Sequence, residues 1–331
     1  MKTEIKVFIV PLIIIFIILI ILGGNSMTKN VKVTHTKSER NIQEGYITVT
    51  GGEIWYKIVG KNKPGIPLLV IHGGPGASHH YLEPIANLAD ERPVIFYDQL
   101  GCGKSDNPND TSLWSLARFV NEIQQVIHTL DLGKVHILGQ SWGTSLAVEY
   151  VLTKQSQGVT SLILSGPLLS ASRWIEDQKV YIEELPEDVK KAILQGEESG
   201  KYDSDEYQNA MMVFYQKHVC RLDEWPEYLN TAFAKLNISQ YEYMWGPSEF
   251  TVTGTLKNYE RVDKLHEINL PTLFTCGEYD EATPVTTRYY QEKMPGSQLH
   301  IFKDASHEHH IEKTEEYLNV VRKFLHSVEN D

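Results

Sequence analysis

Three things that would narrow the function at once are scarce or missing in this sequence. Cysteine is one: Cys102, Cys220 and Cys276 are the full set, odd in number and widely spaced. They offer neither a disulfide framework nor the paired spacing of a zinc site. Positive charge is the second, with 31 Lys and Arg against 43 Asp and Glu and a net charge of −12. That balance argues against nucleic acid as a partner and says little about fold. The third is repetition, since no internal repeat or low-complexity tract is found in the 331 residues. With 41% hydrophobic residues the chain can still bury a sizeable core.

One long apolar run is present, at the start. Lys2 and Lys6 precede Val7 to Leu22, which holds no charge, and Gly23 and Gly24 extend it. At about 18 residues it reaches the lower limit for a bilayer-spanning helix. The exit Leu22-Gly23-Gly24-Asn25-Ser26 is a poor cleavage site, so an uncleaved anchor is expected ahead of a cleaved signal. The flanking lysines favour a cytoplasmic N-terminus, although Lys29 and Lys32 dilute the bias. The rest of the chain is then expected at the cell envelope, outside the cytoplasm. The alternatives are a secreted protein, or a cytoplasmic one if translation starts at Met27.

Residues 28–43 are polar and read as a linker. Strand-like runs follow at Tyr46–Val49, Glu53–Val59, Leu68–Ile71, Val94–Asp98, Val135–Leu138, Ser161–Gly166, Thr272–Cys276 and Leu299–Phe302. Helical patterns lie at Leu113–Leu130, from Trp142 onward (Trp142, Leu146, Ala147, Tyr150, Val151), and at Thr314–Val328. Alternating strands and helices imply a mostly parallel sheet covered on both faces. From about Leu168 to Leu265 the strand runs stop, and helices, one from Asp205 to His218, are expected as a cap over the carboxyl ends of the strands. The expected division is 1–27 hydrophobic segment, 28–43 linker, 44–167 and 267–331 core, and 168–266 cap.

Chemistry enters at Gly139-Gln140-Ser141-Trp142-Gly143, a G-x-S-x-G between a strand and a helix. In that setting the serine sits on a sharp turn that lifts its hydroxyl clear of the sheet, and Ser141 is the expected nucleophile. A serine needs a base, and the base needs an orienting group. Asp280 follows the strand ending at Cys276, and His307 follows the strand ending at Phe302. Both loops leave the sheet on the same edge as Ser141, which makes Asp280 the orienting acid and His307 the general base. Backbone N–H groups of Trp142 and Gly74, the latter in His72-Gly73-Gly74-Pro75-Gly76, are the expected donors to a developing oxyanion.

Two further patterns fail. Gly103-Lys104-Ser105 resembles the end of a phosphate-binding loop, but Asp98 stands where its first glycine is required. His307-Glu308-His309-His310 resembles a metalloprotease helix, but the second ligand position is Ile311. No metal or cofactor is expected, and the histidines at 79, 80, 309 and 310 are expected in solvent.

Together, His72–Gly76, Asp98-Gln99-Leu100-Gly101-Cys102-Gly103-Lys104-Ser105, Gly139–Gly143 and Gly277-Glu278-Tyr279-Asp280-Glu281-Ala282-Thr283-Pro284 resemble proline iminopeptidases. Gly246-Pro247-Ser248-Glu249-Phe250-Thr251 extends the resemblance into the cap, toward the branch that includes the tricorn-interacting prolyl aminopeptidase. It covers about Glu44 to Leu325. The resemblance implies an α/β-hydrolase fold with an inserted helical cap, and a serine aminopeptidase releasing N-terminal residues, preferentially proline, from short peptides. It also implies that Glu249 and Glu281 hold the substrate's free amino group. The competing readings are a carboxylesterase or lipase using the same residues on an ester, and a membrane-tethered binding protein on a non-catalytic hydrolase fold.

Overall fold

The computed structural model describes residues 41–154 and 157–330. Eight strands form one sheet: β1 (Ile42–Val49), β2 (Gly52–Val59), β3 (Leu68–Ile71), β4 (Val94–Tyr97), β5 (Val135–Gln140), β6 (Val159–Ser165), β7 (Thr272–Gly277) and β8 (Gln298–Phe302). Their spatial order is β1-β2-β4-β3-β5-β6-β7-β8. β1, β2 and β4 pair antiparallel, and every pair from β4 to β8 is parallel. The parallel strands therefore all end on one edge, and the loops after β3, β5, β7 and β8 gather there.

The central strands are apolar throughout because both faces are covered. On β3, Leu69 and Ile71 point into one core with Phe119 of α1 (Leu116–Thr129) and Leu146 of α2 (Trp142–Lys154). Leu68 and Val70 point the other way, into a second core with Leu82 and Leu88 of a 3-10 helical segment, His79–Asp90. No helix is expected there from the sequence. Its buried residues Tyr81, Leu82, Ile85, Ala86, Leu88 and Ala89 recur at helical spacing, but Pro84 lies inside it and argues against a regular helix in sequence.

Between β6 and β7 lie five α-helices, α3 (Ala171–Glu183), α4 (Glu187–Ser199), α5 (Asp205–His218), α6 (Glu227–Ala234) and α7 (Ile238–Met244), and then a 3-10 helix, Val262–Glu267. Ile193, Tyr207, Phe214 and Phe250 give this region an apolar cluster of its own. α5 has matched ends: the Ser204 hydroxyl accepts the Tyr207 N–H at 3.3 Å, Asp205 and Glu206 open it, and Lys217 and His218 close it. α8 (Pro284–Lys293), a short α9 (His309–Glu312) and α10 (Thr314–Asn330) complete the fold. Among the described residues no helix is long and apolar enough to cross a membrane. The apolar run at residues 7–24 lies outside them.

Candidate active site

The serine turn is built by close approach. A Cβ on Gly139 would run into the carbonyl of Gly143, and one on Gly143 into the carbonyl of Ile71. Only glycine lets β5 and α2 meet there. Between them Ser141 has φ +54, a region non-glycine residues rarely occupy. The turn is fixed by its backbone. The Ser141 N–H donates to Ser165 O at 2.9 Å, and the Thr144 N–H and hydroxyl donate to Ser141 O at 2.8 and 2.6 Å.

Asp280 and His307 meet on the same edge. His307 Nδ1 lies 2.7 Å from Asp280 Oδ1, with the carboxylate fully buried. The N–H groups of Ala282 and Gly277 donate to the two carboxylate oxygens at 2.8 and 3.1 Å. Burial alone would raise Asp280; the His307 charge and hydrogen bond, with His309, outweigh it and hold the carboxyl at about 2. Burial alone would lower His307. Asp280 first, then Glu281 and Glu308, instead raise it to about 10. An imidazole oriented in this way can take a proton from a serine hydroxyl.

Gly74 and Ser141 line one cavity of about 600 Å³. Gln99 ties the glycine loop to the serine turn. Its side-chain amide donates to His72 O at 2.9 Å, and its oxygen accepts the Trp142 indole N–H at 3.1 Å. Neither the Gly74 nor the Trp142 backbone N–H donates to another group among the described residues. Both remain available to an incoming oxygen.

His307, Glu281 and Glu249 line the same cavity. Glu281 is 1% exposed, and neither carboxylate oxygen has a hydrogen-bond partner among the described residues. Its Oε1 stands 3.7 Å from His307 Nε2, the nitrogen not used by Asp280. Glu249 comes from the segment after α7, where Trp174 of α3 donates to its carbonyl at 2.7 Å. Burial raises both carboxyls, and Glu249 raises Glu281 further. The structure thus brings all seven expected site residues to one edge of the sheet: five line the cavity, Asp280 stands behind His307, and Trp142 follows Ser141.

A further carboxylate was not expected. Glu308 is 5% exposed and lines the cavity, and burial, with Glu312, Asp280 and Glu249, raises it to about 8 against the opposing charge of His307. Its position directly after His307 was the available signal. The expectation of solvated histidines needs correction as well. His79, His309 and His310 are buried. His79 pairs with Asp98 at 2.9 Å, His309 bonds Ser165 and Thr275, and His310 bonds the Tyr81 carbonyl. Each satisfies a polar group inside the fold.

The sheet order, the serine turn after β5, and the acid and histidine after β7 and β8 define an α/β hydrolase, and the sequence model of that fold matches residues 66–314. Relatives narrow the class. A proline iminopeptidase of Heyndrickxia coagulans is 50% identical over 286 residues, 86% of this chain and 99% of its own length. The crystal structure of the Mycobacterium smegmatis proline iminopeptidase superposes with a TM-score of 0.81 at 34% identity, covering 86% of this chain and 98% of its own. That of VinJ gives 0.84 at 31%, covering 86% and 99%. The chain belongs to the proline iminopeptidase family of α/β hydrolases and is a hydrolase of that type.

Proposed function

We propose that the chain releases N-terminal residues, preferentially proline, from short peptides through an acyl-enzyme on Ser141. The observation that carries this reading is Glu281, a buried carboxylate with two unpartnered oxygens in the cavity that Ser141 lines. A buried carboxylate with no hydrogen-bond donor, faced only by His307 at 3.7 Å, is costly, and a substrate ammonium is a partner that lowers the cost. With the ammonium held between Glu249 and Glu281, the first carbonyl lies against Ser141. His307 takes the Ser141 proton as Oγ attacks, the N–H groups of Gly74 and Trp142 bind the oxyanion, and His307 protonates the leaving nitrogen. Water then releases the acyl group by the same route. A panel of aminoacyl-nitroanilides tests this: the prolyl compound should be cut best. Cleavage of short-chain nitrophenyl esters with none of the nitroanilides would put the carboxylesterase reading in its place.

The mechanism has a pH signature. A base works in its neutral form, and His307 is raised above the usual 6.5 to about 10, by Asp280 first and Glu281 next, against its burial. Labelling of Ser141 by a fluorophosphonate, which brings no ammonium, should therefore keep rising above neutral pH. Glu281→Gln removes one of the charges that hold the proton, and should move the midpoint of that rise to lower pH. A midpoint at or below 6.5, unmoved in Glu281→Gln, would contradict the placement of Glu281 beside the base. In turnover the substrate ammonium cancels the same charge, which eases the proton off His307 when a substrate is bound.

The proposal extends to location: residues 7–24 hold the protein at a membrane with residues 28–331 outside the cytoplasm. Recovery of the full-length chain wholly in the soluble fraction would reject it.

A further inference from the structure

Glu308 is left without a task by the mechanism above. Its Oε2 has no hydrogen-bond partner among the described residues. His310 Nε2 lies 3.5 Å from that oxygen, but it is engaged with the Tyr81 carbonyl at 3.0 Å. Burial lowers His310 to about 3, so it offers Glu308 no positive charge. Apart from His307, which Asp280 holds, the cavity adds no cation. Its lining includes Asp203, Glu242, Glu249, Glu281 and Glu308 and contains no lysine or arginine. Asp203 and Glu242 are solvent-exposed, so the acidic character extends to the open side.

We propose that Glu308 is a specificity residue for the leaving part of the substrate, selecting leaving residues that carry N–H donors or positive charge over those that carry a free carboxylate. This rests on the aminopeptidase reading. In that reading the ammonium occupies Glu249 and Glu281, and the carbonyl oxygen faces Gly74 and Trp142. The leaving nitrogen must then lie beside His307, which protonates it, and Glu308 is the next residue in the chain. A dipeptide places its own carboxylate only a few atoms from that nitrogen. There it meets Glu308 and no lysine or arginine on the walls, while His307 is engaged by Asp280 and the leaving nitrogen. Amidation removes the repulsion, a third residue carries the carboxylate about 3.5 Å further out, and a lysine in second place turns repulsion into attraction. The preferred substrates are accordingly prolyl peptides of three or more residues, or prolyl amides, with an uncharged or basic second residue.

The test is kcat/KM for prolyl-alanine, prolyl-alanine amide and prolyl-lysine amide, at a pH about one unit above the value of about 8 to which burial raises Glu308. Each amide should exceed the free dipeptide by about tenfold or more, with the lysine compound first. Glu308→Gln, nearly the same in shape, should shrink that ratio at least about threefold, mainly through KM for the free dipeptide. Equal rates for the three compounds in the wild type overturn the inference, whether or not the variant folds, and so does an unchanged ratio in a folded Glu308→Gln. Cleavage of none of the three would instead remove the aminopeptidase reading itself.

Discussion

Ser141→Ala will lower kcat on prolyl-nitroanilide by about 10⁴- to 10⁶-fold, with little change in thermal stability. The size follows from what is lost: Oγ is the atom that bonds to the substrate in this mechanism, and among the described residues Ser141 is the one serine or threonine lining the cavity. Tyr81, which also lines the cavity, uses its hydroxyl on Gly73 N–H and Gln140. Stability should hold because the strained turn is kept by backbone groups. The Ser141 N–H on Ser165 and the Thr144 bonds to Ser141 O survive in alanine, and alanine accepts φ +54 at a cost similar to serine's. Residual activity would come from the oxyanion donors and the ammonium site alone. Turnover near the wild-type level, in a variant that no longer takes a fluorophosphonate, would end the serine mechanism.

Much of this site could be read before any coordinates because its parts are local. Ser141, Asp280 and His307 each lie just past an apolar strand run, and parallel strands deliver such positions to one edge. Glycine spacing around Ser141 carries a steric meaning that needs no tertiary knowledge. What could not be read depends on packing between distant segments. Glu308 and His310 look like surface residues in sequence, yet the segment after α5 and the 79–90 helix cover them: Glu308 N–H donates to Val219 O, and His310 contacts Tyr81 O. α8 is another case. Its mixed pattern is mostly polar and buries Thr286, Thr287 and Tyr290, so it has no apolar stripe to betray it. α1 starts at Leu116 and not Leu113 because a separate 3-10 turn, Thr111–Leu113, precedes it.

Glu281→Gln should reduce kcat/KM on free prolyl-nitroanilide by about 10²- to 10³-fold while Ser141 still takes a fluorophosphonate. An ammonium about 4 Å from a carboxylate is worth about 4 kcal/mol at an effective dielectric near 20, before desolvation is subtracted. Half of that is already more than an order of magnitude. Glutamine keeps the shape and loses the charge, so positioning of the carbonyl over Ser141 suffers along with affinity. Stability should move in the opposite direction. Burial first, with Glu249 adding, raises Glu281 well above its ordinary value near 4.5. For a carboxyl raised in the folded state, the folded form favours the proton. Its stabilising contribution is full below the unfolded value and is lost as pH rises through the folded one. Wild type therefore forfeits stability toward alkaline pH that Glu281→Gln keeps, and the variant's advantage in melting temperature should widen from pH 5 to pH 9. A residue held for folding would behave in reverse, losing stability along with activity. The substrate side gives the matching control. N-acetylation deletes the positive charge and should stop wild-type cleavage, while costing less in Glu281→Gln, where Glu249 alone still meets the ammonium. Equal cleavage of acetylated and free substrate by the wild type would leave Glu281 without an ammonium to bind, and the site would then be that of an esterase-like hydrolase.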